Sequence, residues 1–491
     1  MTGARSYKTL ALFGLITTIW FAALAKGAHD LWASTFLFSW LSLITLIYLT
    51  GSYKAKDRIA IPLASCFLLI LFDFLISSRY SFDLNTTHLE MWVWFFSIIA
   101  FFLFNNIFRD PALRIQFITL AGLVLLPVTL VAAAQYGRDL PAFFHSHWAA
   151  ESTFTNSAVL AGFALSWAMT FWHLRKKSLV HRWLFIGSMV TLLLARSWWA
   201  YISLLFGFTF YYQERIKSTF KSRRLASIGL CFFALGLLIL TYLYKFGSWQ
   251  EPIYRATNRL NWWAAGFRMA KEHPWTGVGL GSYGTAFLYY RTPTVLNTLF
   301  AHSFPVQILS ETGLLGCLGI LALGIVYIRK TSMRQSMPTE FSACQATVII
   351  LLCFSLTTIF LDYFIGKLML FMNMALVLSF MDLKTVSISR RTFWGIAIAL
   401  LFISPSWYLP LRASQYYVQG LLYENQLNEP LAERSYIKAL KLNPYQDESC
   451  AALARLYAHR YSQSHSLLDL SKSLFWVQRA LNLKKTSTSL P

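Results

Sequence analysis

The sequence predicts an all-α, polytopic membrane protein, and three observations predict it. Of the 491 residues, 56% are hydrophobic and 13% charged, a balance that a soluble domain around one packed core does not reach. Apolar runs of roughly 17–21 residues recur from Thr9 to Pro410, each long enough to cross a hydrocarbon core about 30 Å thick at 1.5 Å per helical residue. Basic residues gather on alternate connections. With a cytoplasmic N-terminus, one side carries Arg5 and Lys8, Lys54 to Arg58, Arg109 and Arg114, Arg175 to Arg182, Arg215 to Arg224, Arg329 to Arg334, and Lys384 to Arg391. The short loops of the other side show single charges only, such as Lys26, Arg79 and Arg138. This is the positive-inside asymmetry, so the net charge of +22 is a topology signal and no nucleic-acid partner is expected.

The expected spans are 9–25, 32–50, 60–78, 91–108, 115–134, 158–174, 183–196, 198–212, 225–243, 307–328, 341–361, 364–381 and 393–410, about twelve to thirteen transmembrane helices in all. The first lacks an A-x-A-like cleavage site and is followed directly by another span, so it reads as retained and not as a signal peptide. The seventh and eighth share the turn Ala195-Arg196-Ser197-Trp198-Trp199 at the external face; one long tilted helix is the competing reading, and it would put the next basic cluster outside. No C-x-x-C pair occurs. Cys66, Cys231, Cys317, Cys344 and Cys353 fall in apolar spans, and Cys450 stands alone in a soluble segment, so neither disulfide nor metal chemistry is expected.

Three segments lie outside the membrane. Gln135 to Ser157 is an external loop with His145, His147 and Glu151. The large external loop, 245–306, has an amphipathic helix from about Ile253 to Glu272 and then a glycine-rich turn. The chain is expected to divide into a membrane domain, 1–410, and a small helical repeat domain, 411–491, on the external side. In that tail Gly420, Tyr423, Ala432, Tyr436, Ala439 and Pro444 sit at the small and aromatic positions of a tetratricopeptide repeat. Ile437-Lys-Ala-Leu-Lys-Leu recurs, at a longer spacing, as Gln478-Arg-Ala-Leu-Asn-Leu. Two repeats bury little core, so the tail is expected to lean on the membrane domain or on a protein partner.

The large loop carries the chemistry. Its residues run Asn258-Arg259-Leu-Asn-Trp262, Arg268, then Glu272-His273-Pro274-Trp-Thr-Gly277-Val-Gly279-Leu-Gly281, Ala301-His302, Gln307 and Glu311-Thr-Gly313. Arg255 and Arg259 are one helical turn apart, and two cations on one face call for an anion opposite. A phosphate suits guanidinium groups; a basic helix face among lipid head groups is the alternative. Gly279-x-Gly281-x-x-Gly284 matches the dinucleotide fingerprint literally, but no strand precedes it, so the glycines mean tight turns that let backbone approach another segment. His302 precedes a span opening at Ser303-Phe304-Pro305, beside a helix N-terminus, and can take a proton from a sugar hydroxyl. The carboxylates Glu151, Asp139 and Glu251 are scattered and form no metal-ligand pair.

This order of motifs resembles the O-antigen ligase and polymerase superfamily, which includes the bacterial protein O-oligosaccharyltransferases. The resemblance covers roughly Leu120 to Phe380. It implies a GT-C-like glycosyltransferase of the bacterial inner membrane, working without cofactor or metal, with the large loop and tail in the periplasm. It implies a donor glycan on undecaprenyl diphosphate and an acceptor hydroxyl: lipid A core for a ligase, another lipid-linked glycan for a polymerase, a Ser or Thr for a protein transferase. His302 matches the essential loop histidine, although Ser303 replaces the usual asparagine after it. Arg259 matches the loop arginine that holds the diphosphate, with Arg268 and Arg255 as further candidates. Arg196 matches the family's Ser-Arg-Gly-Ala turn, with different flanking residues. Asn156, in Phe154-Thr-Asn156, matches an upstream element whose second asparagine is missing. Gln307, Gly277, Gly279 and Glu311 support the site, Glu311 as a buried partner of an arginine or of His302. A flippase or secondary transporter is the rival class, with Asp73, Asp362 and Lys367 as its ionisable groups; no paired internal repeat favours it.

Overall fold

The computed structural model describes residues 2–138, 150–219, 250–293, 295–332 and 338–484. The expected span 225–243 and residues His145, His147 and Asp139 lie outside them. The helices are α1 (Thr2–Leu24), α2 (Leu31–Ala55), α3 (Ala64–Ser78), α4 (Leu84–Phe108), α5 (Pro111–Gly122), α6 (Leu125–Arg138), α7 (Ser157–Leu174), α8 (Leu179–Ala195), α9 (Trp198–Thr219), α10 (Gln250–Glu272), α11 (Tyr283–Tyr290), α12 (Phe304–Ser332), α13 (Thr339–Ser355), α14 (Phe364–Leu378), α15 (Arg390–Ile403), α16 (Pro405–Asn425), α17 (Glu429–Leu442), α18 (Asp447–Ser464) and α19 (Leu467–Leu483). Two short strands, β1 (Arg58–Ala60) and β2 (Thr385–Ser387), pair antiparallel with Ile59 opposite Val386. Among the described residues seven helical segments are long and apolar enough to cross a membrane, among them Leu84–Phe108, Pro111–Gln135 and Phe304–Ser332, and four apolar helices are shorter. The protein is thus an all-α, polytopic membrane protein.

Local sequence sets the helix starts. Asp83 accepts from the Thr86 amide (3.1 Å) and caps α4. Asp110 caps α5 ahead of Pro111, and Asn156 caps α7 by accepting from the amides of Ala158 (2.9 Å) and Val159 (3.3 Å). Inside the helix array α4, α7 and α14 are covered on most sides, and Phe101, Phe104, Trp167 and Phe371 interdigitate among them.

The two ends of the array differ. At one end Lys8 pairs with Asp57 (2.9 Å), Arg114 and Lys177 converge on Glu340, and β1 meets β2. The basic connections at Lys8 and Lys54 to Arg58 therefore meet, as do those at Arg114 and Lys177. α8 and α9 are separate helices broken at Arg196, which takes a left-handed conformation (φ 48°). α9 then returns along α7, so that the Tyr212 hydroxyl accepts from Trp172 Nε1 (3.0 Å) at the basic end. The single long helix is ruled out by that return.

The C-terminal helices form two antiparallel pairs, α16 with α17 and α18 with α19. Gly420 lets the first pair close, since a Cβ there would lie 2.4 Å from the Tyr436 ring. α16 runs through residue 410 without interruption and joins the tail to the array. The tail leans on the start of α4: Asn443 Nδ2 donates to Asn85 Oδ1 (2.8 Å), and Tyr445 meets His88 edge to face.

Candidate active site

The end opposite the basic clusters is built around a break in α12. At Gly313 the backbone turns to φ 62°, ψ −158°, which interrupts the helical ladder. The glycine-rich segment enters the gap. Val278 and Gly279 donate to the carbonyls of Ser310 and Glu311 (both 2.9 Å), while the amides of Leu314 and Leu315 donate to Pro274 (2.8 Å) and Trp275 (3.3 Å). Four backbone groups at the break are thus satisfied by the inserted loop, as buried backbone at a membrane surface requires. Gly277 (φ 63°) and Gly279 (φ 101°) permit this approach: a Cβ on Gly277 would lie 2.3 Å from the Glu311 carbonyl carbon, and one on Gly279 2.5 Å from Ser81.

α10 lies over this turn. Trp262, Trp263, Ala265 and Met269 meet Tyr283, Ala286, Phe287 and Tyr290. The Tyr283 hydroxyl donates to the Trp262 carbonyl (2.7 Å), and the Tyr290 hydroxyl donates to Glu272 (2.7 Å). Arg268 donates through Nε (3.0 Å) and Nη2 (2.6 Å) to the Tyr290 carbonyl, so its guanidinium clamps α10 to α11. Arg255 lies on the same helix between three and four turns earlier; its side chain is outside the described residues.

His302 sits where α10 meets the start of α12. Its backbone is left-handed (φ 55°), and its ring stacks on Trp262 with centroids 4.6 Å apart and planes 25° apart. Arg259, one turn before Trp262, faces it. Burial, and then the Arg259 charge, hold the His302 imidazole down at about 4, so it is neutral at pH 7. The corner is fixed from behind. Gln307 Oε1 accepts from the Ala301 amide (2.7 Å) and Gln307 Nε2 donates to Glu311 Oε1 (2.7 Å), which also accepts from the Tyr283 amide (3.1 Å). Glu311 is buried, but the expected partner, an arginine or His302, is corrected. Standing four residues after Gln307 on one helix face, its carboxylate is held by Gln307 and by the glycine-rich turn.

Asn156 and Arg196 belong to neighbouring segments of the same end. The Ala150 amide donates to the Leu194 carbonyl (3.0 Å) beside the Arg196 turn, and Thr153 donates to the Ala23 carbonyl (2.6 Å). The following bend brings His29 onto the Tyr363 ring (4.6 Å), which lies 6.3 Å from Phe300. Burial lowers the His29 pKa below the usual histidine value. Asn156 acts as the α7 cap; its side chain organises backbone.

Sequence reasoning missed a cavity of about 390 Å³ that Gln307 lines. Asp83, Glu90, Glu311 and Asp362 line it, with His29 and Phe300. Glu90 pairs with the buried Lys367 (2.5 Å). The available signal was the presence of charged residues inside apolar helices; it suggested Lys367 and Asp362 but not their convergence with Glu90. Among the described residues no group of three or more His, Cys, Asp or Glu could hold a metal ion.

Residues 141–321 match the family described as O-Antigen ligase, a stretch that contains every site residue named from the sequence. No curated protein matches the chain.

Proposed function

The match over residues 141–321 makes the chain a member of the O-antigen ligase superfamily, and from that premise we propose that it transfers a glycan from undecaprenyl diphosphate to an acceptor hydroxyl at the periplasmic face of a bacterial inner membrane. The observation that carries the reading is the stack of His302 on Trp262 within reach of the Arg259 charge. A cation beside a neutral imidazole suits a reaction in which one group leaves as an anion and another loses a proton.

The acceptor oxygen attacks the anomeric carbon of the donor sugar. The bond from that carbon to the diphosphate oxygen breaks, its electron pair leaves with the lipid diphosphate, and the hydroxyl proton passes to His302. Arg259 stabilises the charge that grows on the leaving group, in a partly dehydrated site where such stabilisation is strongest. Diphosphate binding at Arg259 offsets the charge that depresses His302, so donor arrival makes the imidazole a stronger base. Arg196 and Arg255 are further candidates for the diphosphate. Arg268, engaged with Tyr290, keeps α10 in place.

O-antigen ligation to lipid A core is the leading reaction; polymerase and protein O-oligosaccharyltransferase activities differ only in the acceptor. Deletion of the gene followed by gel analysis of lipopolysaccharide and glycoproteins separates them. Long glycans that stay lipid-linked and are missing from lipid A indicate a ligase. Single repeats on lipid A indicate a polymerase, and an intact ladder with unglycosylated proteins indicates the third. Unchanged glycans in all three pools would contradict the proposal.

A further inference from the structure

We propose that the cavity between α4, the Phe360–Asp362 turn and α12 is the acceptor subsite, and that it takes a neutral, polyhydroxylated sugar while rejecting one with phosphate beside the accepting hydroxyl. This rests on the glycan-transfer reading above. Its volume of about 390 Å³ falls in the range of small-ligand sites. Four carboxyl groups, Asp83, Glu90, Glu311 and Asp362, line it, and no lysine or arginine stands among the described lining residues.

Three of the four are already engaged within the protein. Asp83 caps α4 and accepts from Thr285 (3.2 Å), Glu90 pairs with Lys367, and Glu311 holds Gln307 and the Tyr283 amide. Asp362 differs. Its Oδ2 is fully buried and has no hydrogen-bond partner among the described residues. A buried carboxyl oxygen without a partner is costly, and because Asp362 is among the residues that line the cavity, a ligand donor that reaches this oxygen as the side chain turns relieves that cost. Sugar hydroxyls donate to carboxylates, and the rings of Phe300 and Phe364 on the same wall offer flat apolar faces to a sugar's C–H surface.

The geometry separates the two substrates by charge. Arg259 and Trp262 stand on one side of His302, where an anionic diphosphate is favoured. Gln307, on the cavity wall, holds the Ala301 amide next to His302, so the acidic cavity reaches the same corner from the other side. An acceptor seated there presents its hydroxyl toward His302, and an acceptor phosphate meets an acidic wall whose neighbouring cation, Lys367, is already paired with Glu90.

The purified full-length protein, supplied with undecaprenyl-diphosphate-linked glycan, tests this with methyl α-glucoside and glucose 6-phosphate as probe acceptors. The wild type is expected to transfer to methyl α-glucoside with a KM at least tenfold below that for glucose 6-phosphate. Asp362→Asn, nearly isosteric, should raise the methyl α-glucoside KM at least tenfold, narrow the discrimination and leave the donor Kd unchanged. Leu299→Trp, which fills the rim from a residue 67% exposed, should raise the acceptor KM by steric exclusion alone. Unchanged acceptor KM values in both variants, preference for glucose 6-phosphate, or donor cleavage with no transfer to methyl α-glucoside would overturn the acceptor assignment while leaving the transfer reading in place. A wild type that neither binds nor cleaves the donor would overturn the transfer reading, and this one with it.

Discussion

The imidazole of His302 lies against the indole of Trp262, with ring centroids 4.6 Å apart. Because Trp262 follows Arg259 by three residues on α10, the stack fixes the distance between the loop's histidine and its arginine. Trp262 is itself anchored, since its Nε1 donates to the Leu296 carbonyl (3.1 Å). Trp262→Ala is therefore expected to lower the transfer rate by about tenfold to a hundredfold, through loss of positioning. Trp262→Phe, which keeps a ring, should retain most of it. Initial rates and melting temperatures of the two variants in detergent check this.

Gln307 links Ala301 to Glu311, and its removal strands a buried amide at one end. Gln307→Leu leaves the Ala301 amide unpaired, at about 1–3 kcal/mol, and takes away one of the two donors to Glu311 Oε1, which keeps the Tyr283 amide. Transfer should fall at least tenfold while the donor still binds, because the corner that carries His302 loosens. Titration of donor binding alongside single-turnover rates separates the two effects.

The inserted glycine turn makes its own prediction. Gly277→Ala places a methyl 2.3 Å from the Glu311 backbone at a left-handed φ and should cost at least about 2 kcal/mol. Gly324→Ala, on α12 with nothing within 4 Å, should be neutral or slightly stabilising. Thermal unfolding of both variants tests whether the loop is locked into the break.

Acid should weaken the fold through His302. The group titrates near 4 when folded and near 6.5 when unfolded, so the unfolded chain binds the extra proton first. Stability falls as pH drops from 6.5 to 4, by up to about 3 kcal/mol, and this contribution is flat above and below that window. His302→Asn should remove this part of the pH dependence. Melting curves of the two proteins between pH 4 and 7 would reveal it as a difference that grows toward acid.

Much of the fold was legible because composition and length decide whether a helix suits a bilayer. Among the basic connections singled out by charge, the structure joins Lys8 to the Asp57 segment and Arg114 and Lys177 to Glu340. The close approach of Gly277 and Gly279 to another segment was readable from glycine density. Its target was not, because the break at Gly313 interrupts an otherwise continuous apolar run and leaves no periodicity signal. The role of Glu311 was half legible: burial followed from its setting, but its partners depend on how the turn enters α12. The acidic cavity was illegible for a simpler reason. Asp83 and Glu90, at the start of α4, are far in sequence from Asp362, and only the packing of α4 against α14 brings them together.

The central claim is that His302 and Arg259 carry glycan transfer, and the most direct measurement is transfer by His302→Ala and Arg259→Ala variants shown to insert and fold like the wild type. The account predicts that both lose transfer, with Arg259→Ala also losing donor affinity while His302→Ala keeps it. Wild-type transfer by either folded variant would contradict it.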